Sequence, residues 1–211
     1  MPAIDGYLRC AHLVREQLAA PEVRLSWDSP SVLAQWTVAG LAGHLARSVL
    51  LLPGIVAAQV DDGDPLVSAV EYFVSALPDA DLHSGSQIAV EVRERGLEAA
   101  GSGVEDLLTR VDVVIGDLET DLRARPEGHV ITALGMRLTL RDYLMTRLVE
   151  MTVHADDLAV SVSAPAPSFP AEVEQMVVST LALIALRRRG FPAVVRGLAR
   201  AERAPGVITA F

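Results

Sequence analysis

The sequence predicts an all-α protein, an up-down helical bundle with extra helices and at most a short hairpin. Three observations carry that expectation. Apolar residues recur at the helical period in most of the longer stretches between breakers. Proline and Gly/Ser clusters punctuate the ends of those stretches. Only His129–Leu138 (HVITALGMRL) has strand character. The tally is roughly six to eight helices, without repeats or low-complexity segments.

Asp5–Ala19 reads as a first amphipathic helix, with Tyr7, Leu8, Ala11, Val14 and Leu18 near helical spacing, ending before Pro21. Its Cys10 is expected to be a packing residue. Its His12 is expected to be an ordinary surface or core histidine, although the interior remains open to it. Glu22–Gln35 reads as loop or short turns. Thr37 then suits an N-cap, and Trp36 before it can pack on Leu41 as a hydrophobic staple. The helix VAGLAGHLARSVLLL follows, with Val38, Leu41, Leu45, Val49 and Leu52 on one face and His44 at its edge, until Pro53 kinks or ends it. Gly40 and Gly43 lower its propensity but allow a neighbour to approach closely.

Asp61–Pro65 is expected as loop and Leu66–Ala76 as a helix stopped by Pro78. Asp79–Ser86 is loop again, with an exposed His83. Gln87–Ala100 is a charged amphipathic helix broken by Gly101–Ser102–Gly103, and Val104–Ala124 is another, ended by Pro126–Gly128. Beyond the His129–Leu138 segment comes the long helix Thr139–Ser161, capped by Thr139 with Asp142 three residues on. Pro165–Pro170 is a connector. Ala171–Arg189 is apolar on nearly every face, which predicts a place at the centre of the bundle. Phe191–Ala201 closes the set, with Pro192 in its first turn, and the apolar tail PGVITAF is expected to dock.

A chain of 211 residues can bury one sizeable core. Its net charge of −9 and pI near 5.0 argue against a nucleic-acid footprint, which would be basic. Arg187–Arg189, the one basic run, suits the C-terminal end of a helix dipole. Mean hydropathy is high at +0.34. Yet the apolar runs Ser48–Val60 and Met176–Leu186 are too short to span a bilayer and are expected as buried helices. No secretory signal is read at the N-terminus, and a single cysteine suits a reducing compartment, so the expected location is cytoplasmic. All 18 basic residues are Arg, which points to a high-GC genome.

The long helix carries the chemistry. At about 100° per residue, Leu140, Leu144, Leu148, Met151, Ala155 and Leu158 form one apolar wall, and Val149, Val153 and Val160 part of another. Between them runs a polar stripe of Tyr143, Thr146, Glu150, His154, Asp157 and Ser161. Arg141, Met145, Thr152 and Asp156 fall opposite, toward solvent. A carboxylate and an imidazole pointing inward are costly unless paired, hydrogen-bonded or metal-bound. Glu150 and His154, four apart, share one face about 6 Å apart at Cβ. His44, inside an apolar helical stripe, is the best third ligand. A His₂Glu set leaves a fourth position open and suits Zn²⁺, and also Ni²⁺ or Fe²⁺. Asp157, one turn on, could accept from a ligand imidazole and set its tautomer.

On spacing alone a second reading stands: Glu150 pairs with Arg147, and His154 hydrogen-bonds in the core. Arg47 and Arg147, each one turn from a candidate ligand, invite either an anionic substrate or ordinary ion pairing. No Gly-rich phosphate loop, GxSxG, CxxC or HExxH is present.

The stretch PSVLAQWTVAGLAGHLARS resembles the W-T/V…L…HL helix of the mycothiol-dependent maleylpyruvate isomerase N-terminal family, through Trp36, Leu41, His44 and Leu45. RLTLRDYLMTRLVEMTVHADDLA resembles that family's R-x-x-E-x-x-x-H-x-x-D-L helix, through Arg147, Glu150, His154, Asp157 and Leu158. The family belongs to the DinB-like group of metal-binding bundles. The resemblance covers essentially the whole chain, 1–211, as one domain. It implies a four-helix core and a divalent metal, usually zinc, on the residues matching His44, Glu150 and His154. It also implies mycothiol as co-substrate, whose thiolate attacks a small electrophile in a transfer or isomerisation. The isomerase itself has an additional C-terminal domain for which 211 residues leave no room, which argues against maleylpyruvate as substrate. A non-catalytic metal-binding module serving binding or interaction is the alternative, and a homodimer is compatible with either.

Overall fold

A computed structural model of the chain describes residues 2–60, 62–76 and 85–210. Helix α1 (Ala3–Leu18) has no side-chain cap of its own behind Pro2. The Glu127 carboxylate takes that role from far along the chain, accepting from the amides of Ala3 (2.6 Å) and Ile4 (3.4 Å). After the short α2 (Pro21–Leu25), α3 (Val38–Leu50) starts at Thr37, whose hydroxyl accepts from the Gly40 amide at 3.1 Å. Pro53 falls in the first turn of α4 (Leu52–Ala57), so it opens a new helix instead of kinking the old one.

Helix α5 (Ala69–Ala76) begins three residues later than expected. Leu66 and Val67 are extended alongside Arg137, with the Val67 amide donating to the Arg137 carbonyl at 2.8 Å. That non-local pairing overrides the helical period. Pro78, the expected stop, and His83 lie outside the described residues. Helices α6 (Gln87–Ala100) and α7 (Val104–Arg123) flank the Gly101–Gly103 break, where Gly101 at φ 65° and Gly103 at φ 141° take conformations other residues avoid.

Strands β1 (Val130–Ala133) and β2 (Met136–Thr139) form the expected antiparallel hairpin, Val130 facing Thr139 and Ala133 facing Met136. Leu134 and Gly135, both at positive φ, make its two-residue turn. Thr139 then caps α8 (Leu140–Ser161), accepting from the Asp142 amide at 3.0 Å. Asp142 in turn accepts from the Ala69 amide at 3.1 Å, which ties the start of α5 to the start of α8. Helices α9 (Ala171–Arg189) and α10 (Phe191–Ala199) and a 3₁₀ turn (Ala201–Arg203) follow.

Four helices close a ring: α1 packs on α7 and α8, and α3 packs on the same two from the other side. Tyr7, Leu18, Leu41, Leu45, Leu107, Leu118 and Leu140 fill it. The Tyr7 hydroxyl donates to the Ser48 carbonyl at 3.0 Å, satisfying its one buried polar atom. This all-α bundle with one small hairpin is the predicted class. The stretch Val38–Ala57 is long and apolar enough to cross a bilayer, yet 61% of its most apolar window is buried inside the protein.

Several expectations need correction. Helix α9 does not occupy the centre; it packs on α5, α8 and α10 and leaves Val178 64% and Leu183 49% exposed. Val160, placed in an apolar wall by its angle, is exposed although Leu158, Ala159 and Val162 around it are buried, so it points away from the packed side of α8, whereas Met145, read as solvent-facing, packs against the core. Helix α10 stops at Ala199, two residues early, and among the described residues the tail docks through Ile208 and Ala210 while Val207 stays exposed.

Candidate metal centre

The geometry that positions His44 begins with two glycines. A Cβ at Gly43 would stand 2.1 Å from the Gly96 carbonyl oxygen and 2.5 Å from the Ala100 amide nitrogen. One at Gly96 would stand 2.6 Å from the Gly40 carbonyl oxygen and 3.2 Å from the His44 Cβ. Helices α3 and α6 therefore touch backbone to backbone, as only residues without side chains permit. That contact presses α3 against α6 and sets His44 between two neighbours. The Trp36 ring lies 5.2 Å away at 63°, and the His154 ring 4.7 Å away at 77°.

Helix α8 supplies the rest. Glu150 Oε2 is 3.3 Å from His154 Nε2 and 3.6 Å from His44 Nε2. His154 Nδ1 is 2.9 Å from Asp157 Oδ2. The three side chains are largely but not wholly covered, at 16–20% exposure. The expected convergence of His44, Glu150, His154 and Asp157 is thus what the fold produces. Glu150 has no ion pair with Arg147 within 4 Å among the described residues; its near partners are the imidazoles.

The electrostatics follow from burial and these contacts. Burial pushes the His44 pKa down, so its ring is neutral near pH 7. Burial also works against ionising Glu150, but His154 and His44 beside it outweigh that and hold the carboxyl well below its usual range. Burial opposes charge on His154 too, yet the Asp157 and Glu150 carboxylates raise its pKa to about 9. A cation is favoured at this spot, and a proton supplies it.

A metal ion suits the same arrangement. One donor atom from each of His44, Glu150 and His154 lies within 4.8 Å of the others. Around tetrahedral zinc, with ligand distances of about 2.0–2.2 Å, neighbouring donors stand about 3.4 Å apart. The 3.3 and 3.6 Å separations match that edge. His44 has only Nε2 toward the group, its Nδ1 being buried without a hydrogen-bond partner among the described residues. The Asp157 contact at Nδ1 leaves His154 Nε2 free for coordination once its proton is gone.

Beyond the donors lies a polar, partly buried flank. The Arg147 guanidinium sits 5.0 Å over the Tyr143 ring and its Nε donates to the Thr146 hydroxyl at 3.1 Å. Burial works against its charge, while Tyr143, Glu150, Tyr72 and Tyr7 hold its pKa up. Arg47 is half-buried, and burial, then the charges of Arg95 and Arg147, lower its pKa. Among the described residues it makes no hydrogen bond and no ion pair within 4 Å, and the more distant Glu98 carboxylate offsets only part of the cost to its charge. His12 is exposed and lines a surface cleft with Arg9, Glu119 and Arg123. Cys10 is fully buried, and burial pushes its thiol up to about 12, leaving an inert packing group. Sequence reasoning missed Gly96 and the tyrosines Tyr7 and Tyr72. A glycine inside a charged amphipathic helix was the available signal for the first.

No curated protein and no solved structure matches the chain. One family does match, described as the mycothiol maleylpyruvate isomerase N-terminal domain, over residues 8–159. Those residues run from within α1 nearly to the end of α8 and include every candidate donor. A DinB-like placement is consistent with that family. The chain therefore belongs to the mycothiol maleylpyruvate isomerase N-terminal domain family.

Proposed function

We propose that residues 1–211 act as one metal- and thiol-dependent domain, a transferase or isomerase that uses mycothiol on a small electrophilic substrate. The observation that supports this reading is the meeting of His44, Glu150 and His154 donor atoms within 4.8 Å of one another. These residues would hold a divalent ion, zinc first, with nickel or iron also suited to two imidazoles and a carboxylate. When bound, the ion supplies an open coordination position at which a thiol loses its proton at neutral pH and becomes nucleophilic.

The chain's own groups do the rest. Asp157 accepts from His154 Nδ1–H and so keeps the Nε2 lone pair toward the ion. Trp36 covers the His44 ring from the other side and keeps water off it. Glu150 brings one negative charge to a doubly charged ion, which leaves a net positive site suited to an anionic sulfur. Arg47 and Arg147, a turn away along α3 and α8, extend that positive field toward the substrate, which fits an electrophile bearing an anionic group.

Protein loaded with Zn²⁺ is expected to hold about one ion per chain and to turn over mycothiol with a generic electrophile; His154→Ala loses both. Failure to take up any divalent metal overturns the reading. Metal uptake without turnover favours the alternative, a non-catalytic metal-binding module.

A further inference from the structure

We infer that the Tyr143 hydroxyl and the Arg47 guanidinium together seat a carboxylate of the substrate, one to two helical turns from the metal donors. This assignment rests on the thiol chemistry proposed above and adds where the far end of the substrate is held. Tyr143 is 2% exposed, yet its hydroxyl makes no hydrogen bond among the described residues. Tyr7 shows the ordinary arrangement for a buried phenol, its hydroxyl donating to the Ser48 carbonyl at 3.0 Å. Polar groups inside a protein are nearly always paired, so an unpaired one calls for a partner from outside the chain. Arg47 is the second such group, half-buried and without a hydrogen bond or ion pair within 4 Å among the described residues.

Two helices bring these groups together. Tyr143, Arg147 and Glu150 stand at i, i+4 and i+7 of α8 and share its polar stripe. The Arg147 guanidinium lies 5.0 Å over the Tyr143 ring. On α3, Arg47 stands one turn beyond His44, whose Nε2 is 3.6 Å from Glu150. One turn forward from His44 and one turn back from Glu150 therefore reach the same level, where Arg47 feels the charges of Arg147 and Tyr143.

The chemistry at that level selects the ligand. Arg147 is already held, its Nε donating to the Thr146 hydroxyl and its guanidinium hydrogen-bonded by Tyr72 of α5, so it supplies charge and a fixed plane. Tyr143 and Arg47 supply the unpaired O–H and N–H groups. No carboxylate stands within 4 Å of either guanidinium among the described residues, and Glu98, the acid whose charge reaches Arg47, is exposed and farther away. Two like charges without an acid between them disfavour each other. A ligand carboxylate, planar and able to accept two N–H bonds from one guanidinium, is the complement this set lacks. Helical rise then sets the length of the substrate. Arg147 and Tyr143 lie about 4.5 and about 10.5 Å along α8 from Glu150, so the electrophilic carbon and the carboxylate are separated by several bonds.

Binding and turnover test this separately. NMR titration of the protein, metal-free and zinc-loaded, compares N-propionyl-β-alanine, an unreactive carboxylate, with its neutral N-methyl amide. The carboxylate is expected to bind roughly tenfold more tightly or better, as hydrogen bonds to a charged group allow. Tyr143→Phe, which deletes one oxygen from a packed ring, and Arg47→Gln should each remove most of that preference, with circular dichroism and melting curves checking their folding. In turnover, the mycothiol thiolate adds to the β-carbon of N-acryloyl-β-alanine, the C=C pair moves to the carbonyl oxygen and the α-carbon takes up a proton. The preference over the matching amide should appear in KM and shrink in both variants. Equal binding of carboxylate and amide by wild-type protein, or a preference that survives both substitutions, overturns the inference. Absence of zinc uptake or of turnover with either acrylamide counts against the thiol chemistry instead, because the titration requires neither.

Discussion

Replacing Gly43 by Ala puts a Cβ 2.1 Å from the carbonyl oxygen of Gly96 and 2.5 Å from the amide nitrogen of Ala100, where ordinary contact begins at 3.4 Å. Both atoms are backbone, so no rotamer change relieves the clash. Helices α3 and α6 must part by about 1 Å, and that cost competes with a propensity gain. Ala for Gly favours a helix by about 1 kcal/mol, while overpacking of a close contact costs about 1–3 kcal/mol. Two backbone contacts at once put this site at the upper end, for a net loss of about 1–2 kcal/mol and a Tm lower by roughly 2–8 °C. His44 is the next residue, and its Nε2 already stands 3.6 Å from Glu150. Metal–ligand distances tolerate only about ±0.2 Å, so a shift of that size should weaken zinc binding tenfold or more. Chelator competition and melting curves with and without zinc measure both effects. Gly116→Ala is the control: nothing lies within 4 Å of its Cβ position, so it should gain up to about 1 kcal/mol and leave zinc affinity alone. A Gly43→Ala protein that melts higher than wild type and binds zinc equally well would refute the argument that glycine contact seats His44.

Asp157→Asn removes the carboxylate 2.9 Å from His154 Nδ1; zinc affinity should drop about 10–100-fold, and the His154 pKa, followed by NMR in metal-free protein, should fall from about 9. Because that pKa is raised above the ordinary 6.5, His154 favours the metal-free fold fully below about pH 6.5, and that contribution is lost as pH rises through about 9. Zinc must displace the same proton, so its affinity should climb with pH up to about 9, with proton release visible by calorimetry in buffers of different ionisation enthalpy; a flat profile from pH 7 to 9 would contradict the assignment. Glu150→Gln keeps the shape but takes away the charge between the imidazoles, so metal content should collapse while circular dichroism stays helical, and retention of zinc would remove Glu150 from the ligand set.

The site's parts were readable in the chain because they depend on local rules. Thr37 and Thr139 mark helix starts through hydrogen bonds that reach three residues. Glu150, His154 and Asp157 share a face because a helix returns every three to four residues. The place of α9 was not readable in the same way. A helix with apolar residues on nearly every side carries no preferred direction, so its sequence cannot say which side the bundle covers. Leu66 and Val67 kept a helical spacing and were still drawn into extended pairing with Arg137, a bond partner about seventy residues away.

By itself the sequence determined the class of the bundle, the bounds of the longer helices to within two residues, and the polar stripe of α8 that carries Glu150 and His154, since period, caps and breakers act within a few residues. Only tertiary packing decided that His44 comes within 3.6 Å of Glu150, more than a hundred residues on. It also decided that α3 and α6 meet backbone to backbone at Gly43 and Gly96, beside His44, and that Val178 and Leu183 of α9 stay exposed. These are relations between surfaces, and a surface acquires its neighbour only when the chain has folded around it.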